Sequence, residues 1–418
     1  MPESPGDRRP WLTLAATLSV QSLGSLSLAV PSVLAPAVAP TLGFGVDRVG
    51  LFIGIAYLAA MLSGLVAGRS VARLGAVGTS QLALLGFGLG MLAITGGFAL
   101  VLLAAAVLVG SGYGVINPAA ATLLNHHSPL ARRGLFFSLK QAGVPVGVAL
   151  AGLLLPLGLA TVGWRASLTA LAVAAGAIAL LLFAARRPLD PARSRIVTAN
   201  PPSSALRRDP SPSLVRVLKD PTLRRLSLSS FAFAFTQLVF LTFLVSYLNL
   251  QLGLSLVLAA AVLSASQVVS TGSRIFWGHA GDRWIDPGRL LGWLGIAAGV
   301  AMAALGSLAW IGPAQGGGEA MLTTLPVIAA MLCATTAMGW NGVFFAELAR
   351  RCAPAELATV SGATQFFTFG GSMAGPVVYG EILRLGGTYS GAYLALAVLP
   401  VVAGVSMLRS DPQPRTRG

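Results

Sequence analysis

The chain has 418 residues, 55% hydrophobic and only 10% charged, with a mean hydropathy of +0.79. That composition excludes a water-soluble globular domain and reads as a polytopic membrane protein. A net charge of +15 would suggest nucleic acid as partner of a soluble protein. Here the basic residues lie between apolar runs, where positive-inside topology and anionic lipid account for them, so no nucleic-acid partner is expected.

A bilayer-spanning helix needs about 20 mostly apolar residues. That rule predicts twelve, at 11–38, 47–68, 77–97, 99–124, 134–159, 164–185, 226–249, 255–280, 290–311, 323–348, 357–382 and 389–409. The first run is longer than the ~7–15-residue core of a cleavable signal, so it is expected to span. Between the sixth and seventh segments, Arg186 to Arg225 carries Pro188, Pro191, Pro201, Pro202, Pro210, Pro212 and Pro221 among Arg, Ser and Asp. Such a stretch cannot bury a core and reads as a linker. The expected fold is therefore all-α: a six-helix bundle over 1–186, a linker over 187–225 and a second six-helix bundle over 226–418.

Orientation follows from the basic residues. With the N-terminus in the cytoplasm, Arg8, Arg9, Arg69, Arg73, Arg132, Arg133, Arg283, Arg289, Arg350, Arg351, Arg409, Arg415 and Arg417 fall inside. Arg48, Arg165 and Arg384 are left near the opposite loops. Both termini are thus expected in the cytoplasm of a bacterial cell, with the chain, a monomer, in its inner membrane.

The halves echo each other. Gly68-Arg-Ser-Val-Ala72-Arg73-Leu-Gly75 follows the second segment, and Gly278-His-Ala-Gly-Asp282-Arg283 ends the eighth. A shift of 223 pairs Ser138 with Ser361, Gly147 with Gly370, Ala151 with Ala374 and Gly152 with Gly375; a shift of 224 pairs Asn117 with Asn341 and Leu124 with Leu348. Internal repeats in a long membrane chain are the signature of a secondary transporter. Cys333 and Cys352 are isolated, His126, His127 and His279 fall near loops, and no HExxH, phosphate loop or intramembrane carboxylate pair occurs. Neither a metal, a cofactor nor an enzymatic activity is expected.

These motifs resemble those of the major facilitator superfamily over nearly the whole chain. The family's loop motif after helix two is matched at Gly68, Arg73 and Gly75, and more fully after helix eight at Gly278, Asp282 and Arg283. Gly110-Ser-Gly112-Tyr-Gly114 resembles the glycine repeat of helix four, although Ala106 stands where the family often carries arginine. Gly143-Val-Pro145-Val-Gly147 approximates the helix five pattern. Leu139–Pro145 and Gly339–Val343 are similar to the bacterial cyanate-transporter-like branch. The resemblance implies two bundles that rock about a central site, by alternating access, as symporter or antiporter.

Charges within the bilayer are costly and mark function. Lys140 lies about 9 Å into the fifth helix and Arg274 about 12 Å up the eighth, at 1.5 Å per residue. The resemblance implies that these helices meet beside the central cavity, bringing two cations to similar depth with no acid to neutralise them. A small organic or inorganic anion is the expected cargo, with a proton or counter-anion as coupling partner. Snorkelling of Lys140 and bonding of Arg274 to helix carbonyls or Asp282 stay open as structural readings. So does a multidrug or metabolite exporter of the same fold. On helices one, four, seven and ten, which line the family's cavity, the polar candidates are Gln21, Ser25, Tyr113, Asn117, Thr236, Gln237, Trp340 and Asn341, with Gln141 and Gln365 on helices five and eleven. Arg73, Asp282, Arg283 and Glu347 are assigned by the resemblance to a cytoplasmic gate. Pro31, Pro118, Pro145 and Pro376 are expected to bend helices.

Overall fold

The computed structural model describes residues 9–129, 132–189, 210–311, 319–352 and 354–409. Ten helical stretches among them are long and apolar enough to cross a membrane. One of these, Arg48–Gly96, is interrupted at Gly75, where φ is 78°. Side chains other than glycine avoid that left-handed region, so the stretch is two helices. With Pro354–Arg384 the described residues form twelve. They are α1 (Pro10–Val38), α2 (48–74), α3 (76–96), α4 (Ala99–His127), α5 (Arg133–Gln141 and Gly143–Thr161), α6 (Trp164–Ala184), α7 (Pro221–Ser246), α8 (Leu256–Arg283), α9 (Pro287–Ile311), α10 (Glu319–Ala337 and Trp340–Arg351), α11 (Pro354–Arg384) and α12 (Tyr389–Leu396 and Val398–Leu408).

The repeated glycine–arginine motif belongs to the helices and not to the loops after them. The α2 helix continues through Gly68 and Arg73 to residue 74, and Gly278 to Arg283 forms the last turns of α8. Nothing before Gly75 stops helical propagation, because the residues between are ordinary helix formers.

Two compact units form, one from Met1–Phe44 and Phe52–Arg208, the other from Gly45–Leu51 and Asp209–Gly418. In the first, α5 lies along α1 at backbone distance: a Cβ on Gly147 would stand 2.0 Å from the Ser22 carbonyl oxygen. In the second, α11 lies along α7 in the same way, with Gly371 at 2.1 Å from the Phe231 oxygen by the same measure. Small residues allow such approach where no hydrophobic drive exists between helices. The packing therefore matches Gly147 to Gly371 instead of Gly370, whose Cβ would meet only the Phe231 ring at 3.6 Å. The shift is then the same 224 that relates Asn117 to Asn341.

The stretch read as a linker contains structure of its own. Residues 190–209 lie outside the described residues, but Pro210–Lys219 is a helix with Val217 wholly buried in the second unit.

Candidate functional site

In the first unit α5 is broken at Ala142. Pro145 has no N–H for the Gln141 carbonyl, and its ring would collide with that oxygen in a continuous helix. The Ala142 N–H instead divides itself between the carbonyls of Ser138 and Leu139, both at 3.2 Å. Lys140 therefore occupies the last turn before the break. The neighbouring Gly143 lets α5 close onto α1, since a Cβ there would stand 2.9 Å from Cβ of Gln21.

The Lys140 side chain is 3% exposed. Its Nζ donates to Oε1 of Gln21 at 2.5 Å, to Oε1 of Gln141 at 3.1 Å and to Oδ1 of Asn117. An ammonium has three donors, and three amide oxygens take them. The Gln21 amide group, with no exposed surface, is held from its other side by donating from Nε2 to Ser25 Oγ at 3.4 Å and Tyr113 OH at 3.5 Å. Asn117 and Gln141, by contrast, are exposed. Among the described residues no carboxylate pairs with Lys140. The chain has two lysines, Lys140 and Lys219, among 28 basic residues. A compact ammonium suits a three-oxygen cage that a planar guanidinium fork would not fill.

The second unit holds the other six candidates, Arg274, Thr236, Gln237, Trp340, Asn341 and Gln365. Its α10 helix is broken at Met338 and Gly339, and a break leaves the preceding carbonyls without helical partners. Side chains of α8 take them. Trp277 Nε1 donates to the Thr335 oxygen at 2.8 Å and Arg274 Nε to the Met338 oxygen at 3.1 Å. Two residues on, Trp340 Nε1 donates to Oε1 of Gln237 at 3.0 Å, and Nδ2 of Asn341 reaches the same oxygen at 3.5 Å. Arg274 thus bonds a helix carbonyl, as its structural reading requires. Thr236 bonds the Ala232 carbonyl of its own helix at 2.8 Å, and Gln365 is half-buried on α11.

The expected gate residues are placed differently from one another. Arg73 and Arg283 are exposed, and the Asp282 side chain lies outside the described residues. Glu347 is buried, 2% exposed, and pairs with Arg351 and with Arg350 at 3.6 Å. Arg350 also binds Oδ1 of Asp286 at 2.5 Å. Asp286 was not among the candidates, although Asp286-Pro287 is a readable helix start: its Oδ2 accepts from the N–H groups of Gly288 and Arg289 at 3.1 and 3.2 Å, as an N-cap does. Partial burial works to raise the Asp286 carboxyl, but Arg350 and the two N–H groups outweigh it and hold it below the ordinary aspartate value. The Trp277 and Asp286 contacts escaped a reading of single positions because both depend on which helix ends meet.

A family model described as Major Facilitator Superfamily matches residues 17–376. No curated protein matches the chain. Among solved structures, a bacterial homolog of the human lysosomal transporter Spinster, inward-facing and occupied, is 18% identical with a TM-score of 0.70, over 96% of this chain and 97% of that one. A nucleoside transporter is 16% identical with a TM-score of 0.74, over 96% and 99%. A D-xylose–proton symporter is 16% identical with a TM-score of 0.65, over 95% and 98%. At these identities the likeness is one of fold.

Proposed function

The chain belongs to the Major Facilitator Superfamily, and on that premise we propose that it carries a small organic or inorganic anion across a bacterial cytoplasmic membrane by alternating access. The observation that carries this reading is the cage around Lys140. Three neutral oxygens satisfy its donors and leave its charge uncompensated. A lone buried charge is costly. An anion about 4 Å from Nζ gains about 4 kcal/mol at an effective dielectric of about 20, which makes the cation a selective contact for negative solutes. Exposed Asn117 and Gln141 are the arms that such a solute displaces, while buried Gln21, braced by Tyr113, keeps the ammonium in place.

In the second unit Arg274 is assigned two tasks: Nε holds the Met338 carbonyl, and the guanidinium charge is that unit's own anion contact, beside Gln237, Trp340 and Asn341. The Glu347 cluster, with Arg73, Asp282 and Arg283, is assigned to the cytoplasmic gate. The bundles of 1–186 and 226–418 are the rocking bodies, and both termini are cytoplasmic on the arginine distribution. Within the superfamily the chain is placed in the cyanate-transporter-like branch. A proton or a counter-anion is the coupling partner.

The test is counterflow in proteoliposomes. Vesicles preloaded with small carboxylates or cyanate-like anions are expected to accumulate the labelled anion, and vesicles preloaded with neutral sugars or lipophilic cations are not. Exchange of the neutral or cationic solutes with no anion exchange would overturn the reading.

A further inference from the structure

The helix Pro210–Lys219 takes no part in the site described above. It ends one residue before α7. Between them, Asp220 accepts through Oδ1 from the N–H groups of Thr222 at 2.8 Å and Leu223 at 3.2 Å, and so caps a membrane-spanning helix. With a single residue between the two, the helix cannot stand far from the bilayer surface; with Arg216 and Lys219 on it, it cannot sink into the hydrocarbon.

Its described side chains divide into three faces. Val217 is buried in the cluster that holds Leu223 and Leu226, which fixes the helix to the second unit. Val215 and Leu218, one turn apart, are 46% and 45% exposed. Arg216 and Lys219, also one turn apart, are exposed. Arg224 folds back from α7 and donates from Nη1 to the Leu218 carbonyl at 3.2 Å, adding a cation where the helix dipole is negative. The acid beside them, Asp220, spends one oxygen on the cap. An exposed apolar pair next to a basic pair, on a helix held at the edge of the bilayer, is the pattern that lies in an anionic membrane surface.

We propose that Pro210–Lys219 is a binding site for an anionic phospholipid. Val215 and Leu218 enter the boundary of the acyl chains, and Arg216 and Lys219, joined by Arg224, hold the headgroup phosphate. A free phosphate would leave the apolar pair in water, so the lipid is the ligand that uses both faces.

Native mass spectrometry of the full-length protein, released from micelles holding equal phosphatidylglycerol and phosphatidylcholine, tests this. The wild-type protein is expected to retain phosphatidylglycerol preferentially. The double variant Arg216→Gln/Lys219→Gln is expected to retain at least about fivefold less, the factor one surface cation contributes. Val215→Ser/Leu218→Ser is expected to lose retention as well, with its melting in phosphatidylcholine unchanged. Arg289→Gln, an exposed cation elsewhere, is expected to behave as wild type. The proposal fails if the charge variant keeps its lipid, if Arg289→Gln loses as much, or if soluble glycerol phosphate displaces the lipid at millimolar concentration. None of these readouts depends on which solute is carried.

Discussion

Nζ of Lys140 donates to Oε1 of Gln21 at 2.5 Å, a contact between α5 and α1 across 119 positions of sequence. Because Gln21 spends its own Nε2 donors on Ser25 and Tyr113, its oxygen is committed to the lysine. The amide fixes where the positive charge sits without cancelling it. Replacing Gln21 by Glu supplies the missing counter-charge with little change of shape. Gln21→Glu is expected to keep the fold and lose anion binding, whereas Gln21→Leu removes a buried acceptor and is expected to cost about 1–3 kcal/mol. Melting curves with and without a bound carboxylate separate the two effects.

The approach of α5 to α1 depends on the missing side chain of Gly147. In Gly147→Ala the new Cβ meets a backbone oxygen of Ser22 at 2.0 Å, and backbone cannot step aside as a side-chain tip can. A loss of about 1–3 kcal/mol is expected, read as a lower melting temperature in detergent. Gly68→Ala, where a Cβ meets nothing within 4 Å, is the control. There the gain in helix propensity is at most about 1 kcal/mol, so its melting temperature is expected to hold or rise.

Asp286 ties the start of α9 to Arg350 at the end of α10. Its carboxyl is held below the ordinary value of 3.8, so folding favours its ionised form. The sign follows from linkage: this stabilisation is fully present above the ordinary aspartate value and is lost as the pH falls through the depressed folded value. Asp286→Asn is expected to lower the melting temperature at pH 7 and to flatten the wild-type loss of stability below about pH 4. Thermal unfolding across pH 3–7 checks both parts.

Trp277 holds the Thr335 carbonyl that the break in α10 leaves behind. Trp277→Phe keeps the ring and removes the donor, and is expected to cost about 0.5–1.5 kcal/mol. Arg274→Ala, which releases the Met338 carbonyl, is expected to lower stability as well as transport. Comparing melting with counterflow for the pair distinguishes support of the break from contact with solute.

The twelve helices were legible because each spanning run shows its length and composition directly, whereas the glycine–arginine motifs, read as following the second and eighth helices, form their last turns. The break of α5 was foreshadowed by Pro145. Of the polar candidates, Gln21, Ser25, Tyr113, Asn117 and Gln141 join Lys140 in the first unit, and Gln237, Trp340 and Asn341 meet in the second, while Thr236 bonds its own helix. What single positions did not reveal is contact between helix ends. The match of Gly147 to Gly371 depends on which glycine faces a carbonyl, and neighbouring Gly370 differs from it by one residue. Asp286 is not singled out by its sequence position because its partner Arg350 lies 64 residues away. Pro210–Lys219 was hidden in a proline-rich stretch, where Pro210 at the first turn is compatible with a helix start.

The most direct measurement is the thermal shift produced by a saturating small carboxylate on the wild-type protein and on Lys140→Gln. A ligand that binds only the native state at 100 times its dissociation constant stabilises by about 2.7 kcal/mol. The wild-type protein is expected to show a shift of that order, and Lys140→Gln, whose neutral amide can still bond one or two cage oxygens, is expected to melt near the unliganded wild type and show none. An equal carboxylate-induced shift in Lys140→Gln would contradict the assignment of Lys140 as the anion contact.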